Sequence, residues 1–238
     1  MTASDIAHTT ANDEIEGLAA LLEQRAATYS MLARLYAKEV DQELLDEMHG
    51  ALYPAATGNA NYDTGNYLVA LYLSNIFGDS LTELAVDYSR CFIGHGNDGY
   101  SAAYPYESVY TSEKRLLMQD ARDEVLAIYR ANGLDKASDW KANEDHVAAE
   151  LEFMRVLCER CRQALLDGDE DRAWDLFLTQ RNFLEDHLAA WAPMMTEDLK
   201  NFARTELYQG LAWLTEGYLE MDFDFLRDLI DGEATSAE

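Results

Sequence analysis

The sequence predicts an all-α protein, a compact multi-helix bundle, on three observations. Only three prolines and thirteen glycines interrupt 238 residues rich in Ala, Leu and Glu, which are strong helix formers. Apolar residues recur at steps of three and four over several long stretches, the spacing of one helix face. The Val/Ile/Thr enrichment that strands need is missing. With 48% hydrophobic residues the chain is ample to bury a core, and no fixed-period repeat suggests a solenoid.

Residues 1–12 are small and polar and read as a disordered tail. Asn12 can cap a long helix whose inner face is Ile15, Leu18, Leu22, Ala26, Tyr29, Ala33 and Tyr36. A shorter helix follows Asp41 and fails at Tyr53-Pro54, and ATGNANYDTGN reads as a loop. Tyr67, Leu71 and Ser74 to Phe77 suggest a third helix closed by Gly78, and Ser80 with Glu83 forms a capping-box pattern that starts a fourth. Beyond a glycine-rich loop, Leu117, Ala121, Val125 and Ile128 align on one face, with Asn132-Gly133 as the stop. Asn143 can cap the next helix, where Val147, Leu151, Met154, Cys158, Cys161 and Leu165 form a seam expected at the centre of the core. After the Asp167-Gly168-Asp169 turn come a helix through Trp174, Phe177 and Phe183, a kink or restart at Trp191 and Pro193 with Thr196 as a cap, and a last helix carrying Leu207, Leu211, Leu214 and Tyr218. One helical domain is therefore expected over 13–231, with subregions 13–92 and 108–231 joined by a Gly/Pro loop at 93–107, and a loose tail at 232–238.

A formal net charge of -27, from 45 acidic against 18 basic residues, argues against nucleic acid and anionic membrane surfaces and favours solubility or a positively charged partner. The N-terminus has no targeting pattern, no apolar run approaches the ~20 residues that span a bilayer, and three cysteines fit a reducing cytosol. No catalytic or metal constellation emerges. Cys158 and Cys161 form a C-x-x-C without a second ligand pair, and both fall on the apolar seam. The five histidines offer neither H-E-x-x-H nor Glu-x-x-His, and GHGNDG lacks the preceding strand of a dinucleotide loop. No cofactor is expected.

The stretch YSRCFIGHGNDGYSAAYPYESVY, residues 88–110, breaks the helical pattern with Gly94, Gly96, Gly99 and Pro105. It also carries Tyr88, Tyr100, Tyr104, Tyr106 and Tyr110, rings suited to the wall of a binding groove. Asp145 and His146 open the seam helix, and neighbours there point about 100° apart, so one can face the core and the other a groove. The residues alone equally allow Asp145 to assist capping and His146 to pack at the helix end.

These two motifs, with the later HLAAWAPMM and LYQGLAWLTEGYL segments, resemble the TorD/DmsD family of redox-enzyme maturation chaperones over roughly the last two-thirds of the chain. The resemblance implies an all-helical cytoplasmic chaperone, not an enzyme, a monomer or homodimer. Such a chaperone binds the twin-arginine signal peptide and the apo form of a molybdopterin oxidoreductase subunit, and prevents premature export. It carries signal-peptide binding onto Tyr88, Cys91, Phe92, Pro105, Tyr106, Ser108, Tyr110, Asp145 and His146. Cys91 stands where the family usually has leucine, His95 where it has proline, and Ala142-Asn143 where a Glu-Pro often precedes the Asp-His pair. A helical scaffold or regulatory subunit, and a metal-dependent helical enzyme, are the other classes the sequence leaves open.

Overall fold

A computed structural model describes residues 3–94, 103–113, 115–138 and 140–236; His95, Gly96, Gly99 and Tyr100 of the glycine loop lie outside them. The chain is all-helical: α1 (Ala3–Ala37), α2 (Gln42–Gly50), α3 (Ala60–Leu73), α4 (Ser80–Tyr88), α5 (Glu107–Thr111), α6 (Asp120–Ala131), α7 (Val147–Leu166), α8 (Glu170–Phe183), α9 (Ala189–Phe202) and α10 (Glu206–Ser236). Two π-helical turns, Ser89–Ile93 and Leu184–Leu188, extend α4 and join α8 to α9. Among the described residues the only β-type pairing is one isolated bridge, between Tyr106 and His146. No helix of the described residues is long and apolar enough to cross a membrane.

Two long helix pairs make the bundle, α1 along α7 and α3 along α10, with α8 and α9 packed beside them. The seam expected on α7 is the inner one: Val147, Leu151, Met154, Cys158 and Cys161 are buried, as are Leu22, Tyr29 and Tyr36 of α1, the helix packed along α7. Each aliphatic or aromatic side chain so buried contributes roughly 1.5–3 kcal/mol. The Cys158 thiol donates to Gln180 Oε1 at 3.3 Å and Cys161 to the Ala173 carbonyl at 3.4 Å, and burial pushes both thiols up to about 12. They are core residues.

The α3–α10 contact is made by glycine. A Cβ added at Gly65 would lie 2.6 Å from Leu214 N, one at Gly210 would lie 3.0 Å from Gly65 O, and one at Gly217 would press closer still on Tyr62 N. Gly210 and Gly217, seven residues apart, share one face of α10, so the two backbones meet without side chains between them. Gly217→Ala is expected to destabilise by about 1–3 kcal/mol through overpacking. Gly17→Ala, in open space on α1, should be neutral or stabilising. Thermal unfolding of both variants checks the contrast, and equal melting temperatures would contradict it.

Several local expectations are corrected. Helix α1 already includes Ala3 to Asn12, so Asn12 does not cap it, and α10 continues to Ser236; neither end contains proline to stop it. The ATGNANYDTGN stretch is largely helix: α3 starts at Ala60, capped by Asn59, whose side chain accepts from Tyr62 N at 2.9 Å. Ser80 is the first residue of α4 and accepts from Phe77 N, while Glu83 accepts the Tyr72 hydroxyl, so the capping-box partners are spent elsewhere. Leu117 precedes α6 and is exposed. Pro193 lies inside α9, and Thr196 does not cap but donates to the Pro193 carbonyl at 3.0 Å. The stops at Asn132-Gly133 and Asp167-Gly168-Asp169 are as expected, with Gly133 and Gly168 at positive φ.

Candidate functional site

Pro105 keeps Tyr104 out of helix and leads into an extended Tyr106, which pairs antiparallel with the extended His146. Glu107 N donates to Asp145 O and Val147 N to Pro105 O, each at 2.9 Å, so main-chain bonds clasp the loop motif to the start of α7. The Asp145 carboxylate accepts from Ser108 N at 3.1 Å and satisfies an orphan amide of α5. His146 caps α7, its Nδ1 accepting from Ala148 N at 3.0 Å; Asn143 does not. Burial pushes His146 down to about 3, so the ring is neutral with its proton on Nε2. It sits edge-on between Tyr106, at 4.9 Å, and Trp140, at 5.3 Å between ring centres.

A compartment of buried acids adjoins this clasp. Glu107, Asp145 and Glu150 are at most 3% exposed. His187 Nδ1 lies 3.1 Å from both oxygens of Glu107. Trp191 Nε1 donates to Glu150 Oε2 at 3.0 Å. Asp145 Oδ1, Glu150 Oε1 and Ser108 Oγ find no hydrogen-bond partner among the described residues. Burial first, then the neighbouring Glu107, push the Glu150 carboxyl well above the usual range. Among the described residues no His/Cys/Asp/Glu group is arranged to hold a metal.

On the other side of Trp140 a cleft of about 500 Å³ opens between α1 and α7. Ala33, Ala37, Leu134, Trp140, Phe153 and Val156 give it an apolar lining. At its rim Glu144 is held by Arg122 at 2.6 Å and Lys136 at 3.3 Å. Burial works to raise the Glu144 carboxyl, but the two cations outweigh it and pull it down to about 2. Lys136, and with it the stretch 134–138, is thereby fastened as a wall of the cleft.

None of the nine residues singled out from the sequence is among those lining this cleft. Pro105, Tyr106, Ser108, Asp145 and His146 are brought together as the clasp behind it. Tyr88 and Phe92 pack with Tyr36 and Tyr208 in a buried aromatic cluster, with ring centres 4.9–6.1 Å apart across the contacts of Tyr88 and Phe92. Cys91 is fully buried, its sulfur 3.8 Å from Asp87 Oδ1. Tyr110 is half-buried, stacks on Trp191 and donates to Asp198 at 3.0 Å. The expected outward face of the Asp145-His146 pair is thus corrected: both side chains turn inward, because each satisfies a helix-start amide. Trp140 and Phe153 of the cleft, and the buried Glu107, Glu150 and His187, escaped the sequence reading. A lone tryptophan in the polar connector LDKASDWKAN was the one available signal.

A family model described as nitrate reductase delta subunit matches residues 59–197. The chain is 27% identical over 210 residues to a protein named Chaperone protein TorD of Vibrio atlanticus, spanning 86% of this chain and 95% of the relative. It is 27% identical over 221 residues to that of Vibrio cholerae El Tor, spanning 90% and 97%, and 26% identical over 210 residues to that of Photobacterium profundum, spanning 86% and 94%.

Proposed function

The chain belongs to the nitrate reductase delta subunit family, which takes in the TorD chaperones it matches along most of its length, and from that premise we propose that it is a maturation chaperone for a molybdoenzyme, not an enzyme itself. It acts in the cytoplasm, receiving the twin-arginine signal peptide of the apo catalytic subunit and releasing it for export after cofactor insertion.

One observation supports the peptide in particular: the apolar cleft beside Trp140 lies on a body of net charge -27. A signal peptide joins a basic n-region to an apolar h-region. The field of the acidic body draws the first by long-range, salt-screened attraction, and the cleft takes the second. The clasp residues act as positioning residues. Asp145 and His146 hold α5 and the start of α7 in register, and His146, itself packed on Tyr106, backs the Trp140 ring.

Calorimetric titration with a twin-arginine signal peptide tests this. Ala149→Trp, which fills the half-buried lining of the cleft without removing a core contact, is expected to weaken binding at least about tenfold, the loss of one apolar side-chain seat. Tyr106→Ala should weaken it less. Wild-type affinity in both, with unchanged circular dichroism, removes the cleft from the site. A client subunit lacking its signal peptide should bind far more weakly than the full chain. Equal binding would instead make the protein a scaffold for the mature part.

A further inference from the structure

The α1–α7 cleft does not end at Phe153. Past Ser30 and Glu152, which line both parts, the groove continues as a second section of about 690 Å³ with polar walls. Its floor is a stripe of α7 residues spaced three, four and three apart, Glu152, Arg155, Glu159 and Arg162, with Glu23 of α1 opposite. Arg155 lies between two carboxylates, with one guanidinium nitrogen 2.6 Å from Glu152 Oε1 and the other 2.5 Å from Glu159 Oε1. Arg162 approaches Glu23 at 3.3 Å. Arg155 is the more enclosed member, 23% exposed against 49% and 55% for its two acids, whose outer faces stay open to the groove.

Resting on the peptide reading above, we propose that Arg155 is an internal competitor for the client's guanidinium groups, so that the polar section selects paired arginines and fixes the peptide's direction. The occupant is a segment with two adjacent arginines followed by an apolar stretch. Its apolar part sits in the cleft beside Trp140, and its arginines reach the three carboxylates of the polar section. There they exchange with Arg155, which swings out towards solvent on its flexible stem. Carboxylates already satisfied by a fixed guanidinium gain little from a single lysine or arginine. They gain more from two planar, bidentate partners that can displace it. Arg155 thereby holds down the affinity that a client's arginines add over a peptide without them.

The experiment compares wild-type protein and Arg155→Gln against two synthetic peptides, one with the arginine pair and one with glutamines in its place, at low and high salt. Arg155→Gln is expected to raise affinity for the arginine peptide about threefold to fivefold at low salt, the scale of an exposed ion pair. The ratio of arginine-peptide to glutamine-peptide affinity should rise with it, and the gain should shrink at high salt. Glu159→Gln should lower that ratio. If wild type binds the arginine peptide but Arg155→Gln leaves the ratio unchanged or lowers it, the competitor role is overturned and the peptide reading stands. If neither protein binds either peptide while both remain folded, the peptide reading itself falls and the competitor role with it.

Discussion

Asp222→Ala is expected to lower stability by about 3–5 kcal/mol, the toll of stranding a buried charge. Asp222 accepts from Arg25 through both oxygens, at 2.5 and 2.9 Å, and from the Tyr29 hydroxyl at 2.6 Å. Arg25 and Asp222 are only 4% and 3% exposed. Arg25 Nη1 already lacks a hydrogen-bond partner among the described residues, and the guanidinium otherwise rests on the Phe225 ring at 4.9 Å. With the carboxylate gone, a full positive charge remains buried in the α1–α10 contact without its counterion. Urea unfolding of the variant measures the loss directly. The double variant Arg25→Met with Asp222→Leu, which removes both charges and keeps volume, should recover most of it. A double variant no more stable than Asp222→Ala would contradict the charge-stranding account and point to lost packing.

Glu150→Gln should do the opposite at neutral pH. Burial and the neighbouring Glu107 and Asp145 raise the Glu150 carboxyl in the folded state, whereas the unfolded chain releases that proton near the ordinary carboxylate pKa of about 4.3. Between that value and the raised folded one, the native state binds more protons than the unfolded state. Stability contributed by this group is therefore full at acid pH and falls as pH rises, at up to about 1.4 kcal/mol per pH unit. Glutamine keeps an oxygen for Trp191 Nε1 and supplies a permanent donor towards the neighbouring carboxylates. Denaturant melts from pH 4 to 9 are expected to show a variant close to wild type at the acid end and increasingly more stable above it. Parallel curves across that range would mean that Glu150 is ionised in the fold.

The bundle was legible because its two longest seams are long and periodic. Leu151, Met154, Cys158 and Cys161 on α7, and Leu207, Leu211 and Leu214 on α10, are buried as their spacing demands. Tyr67 and Leu71 announced the second half of α3, but its first half was not legible, because Asn59, Asp63 and Gly65 have turn chemistry, and only the close approach of Gly210 and Leu214 gives Gly65 a reason to be helical. The clasp was legible as two motifs but not in its orientation. No local pattern announces that a histidine will cap α7 or that an aspartate will serve an amide of α5 across 37 residues of chain. Glu107 and Glu150 were invisible for a statistical reason: among 45 acidic residues, nothing in the sequence marks the few that lie indoors.

The clasp has one more implication. Its two strongest ties, Glu107 N to Asp145 O and Val147 N to Pro105 O, run between main-chain atoms and depend little on which side chains flank them. Residues such as Ala149, in the first turn of α7, and Val156, near its middle, line the opening and can be exchanged without loosening the frame that positions them. Retuning this scaffold towards a different cargo is therefore a matter of repainting one helix face, with the joinery behind it left untouched.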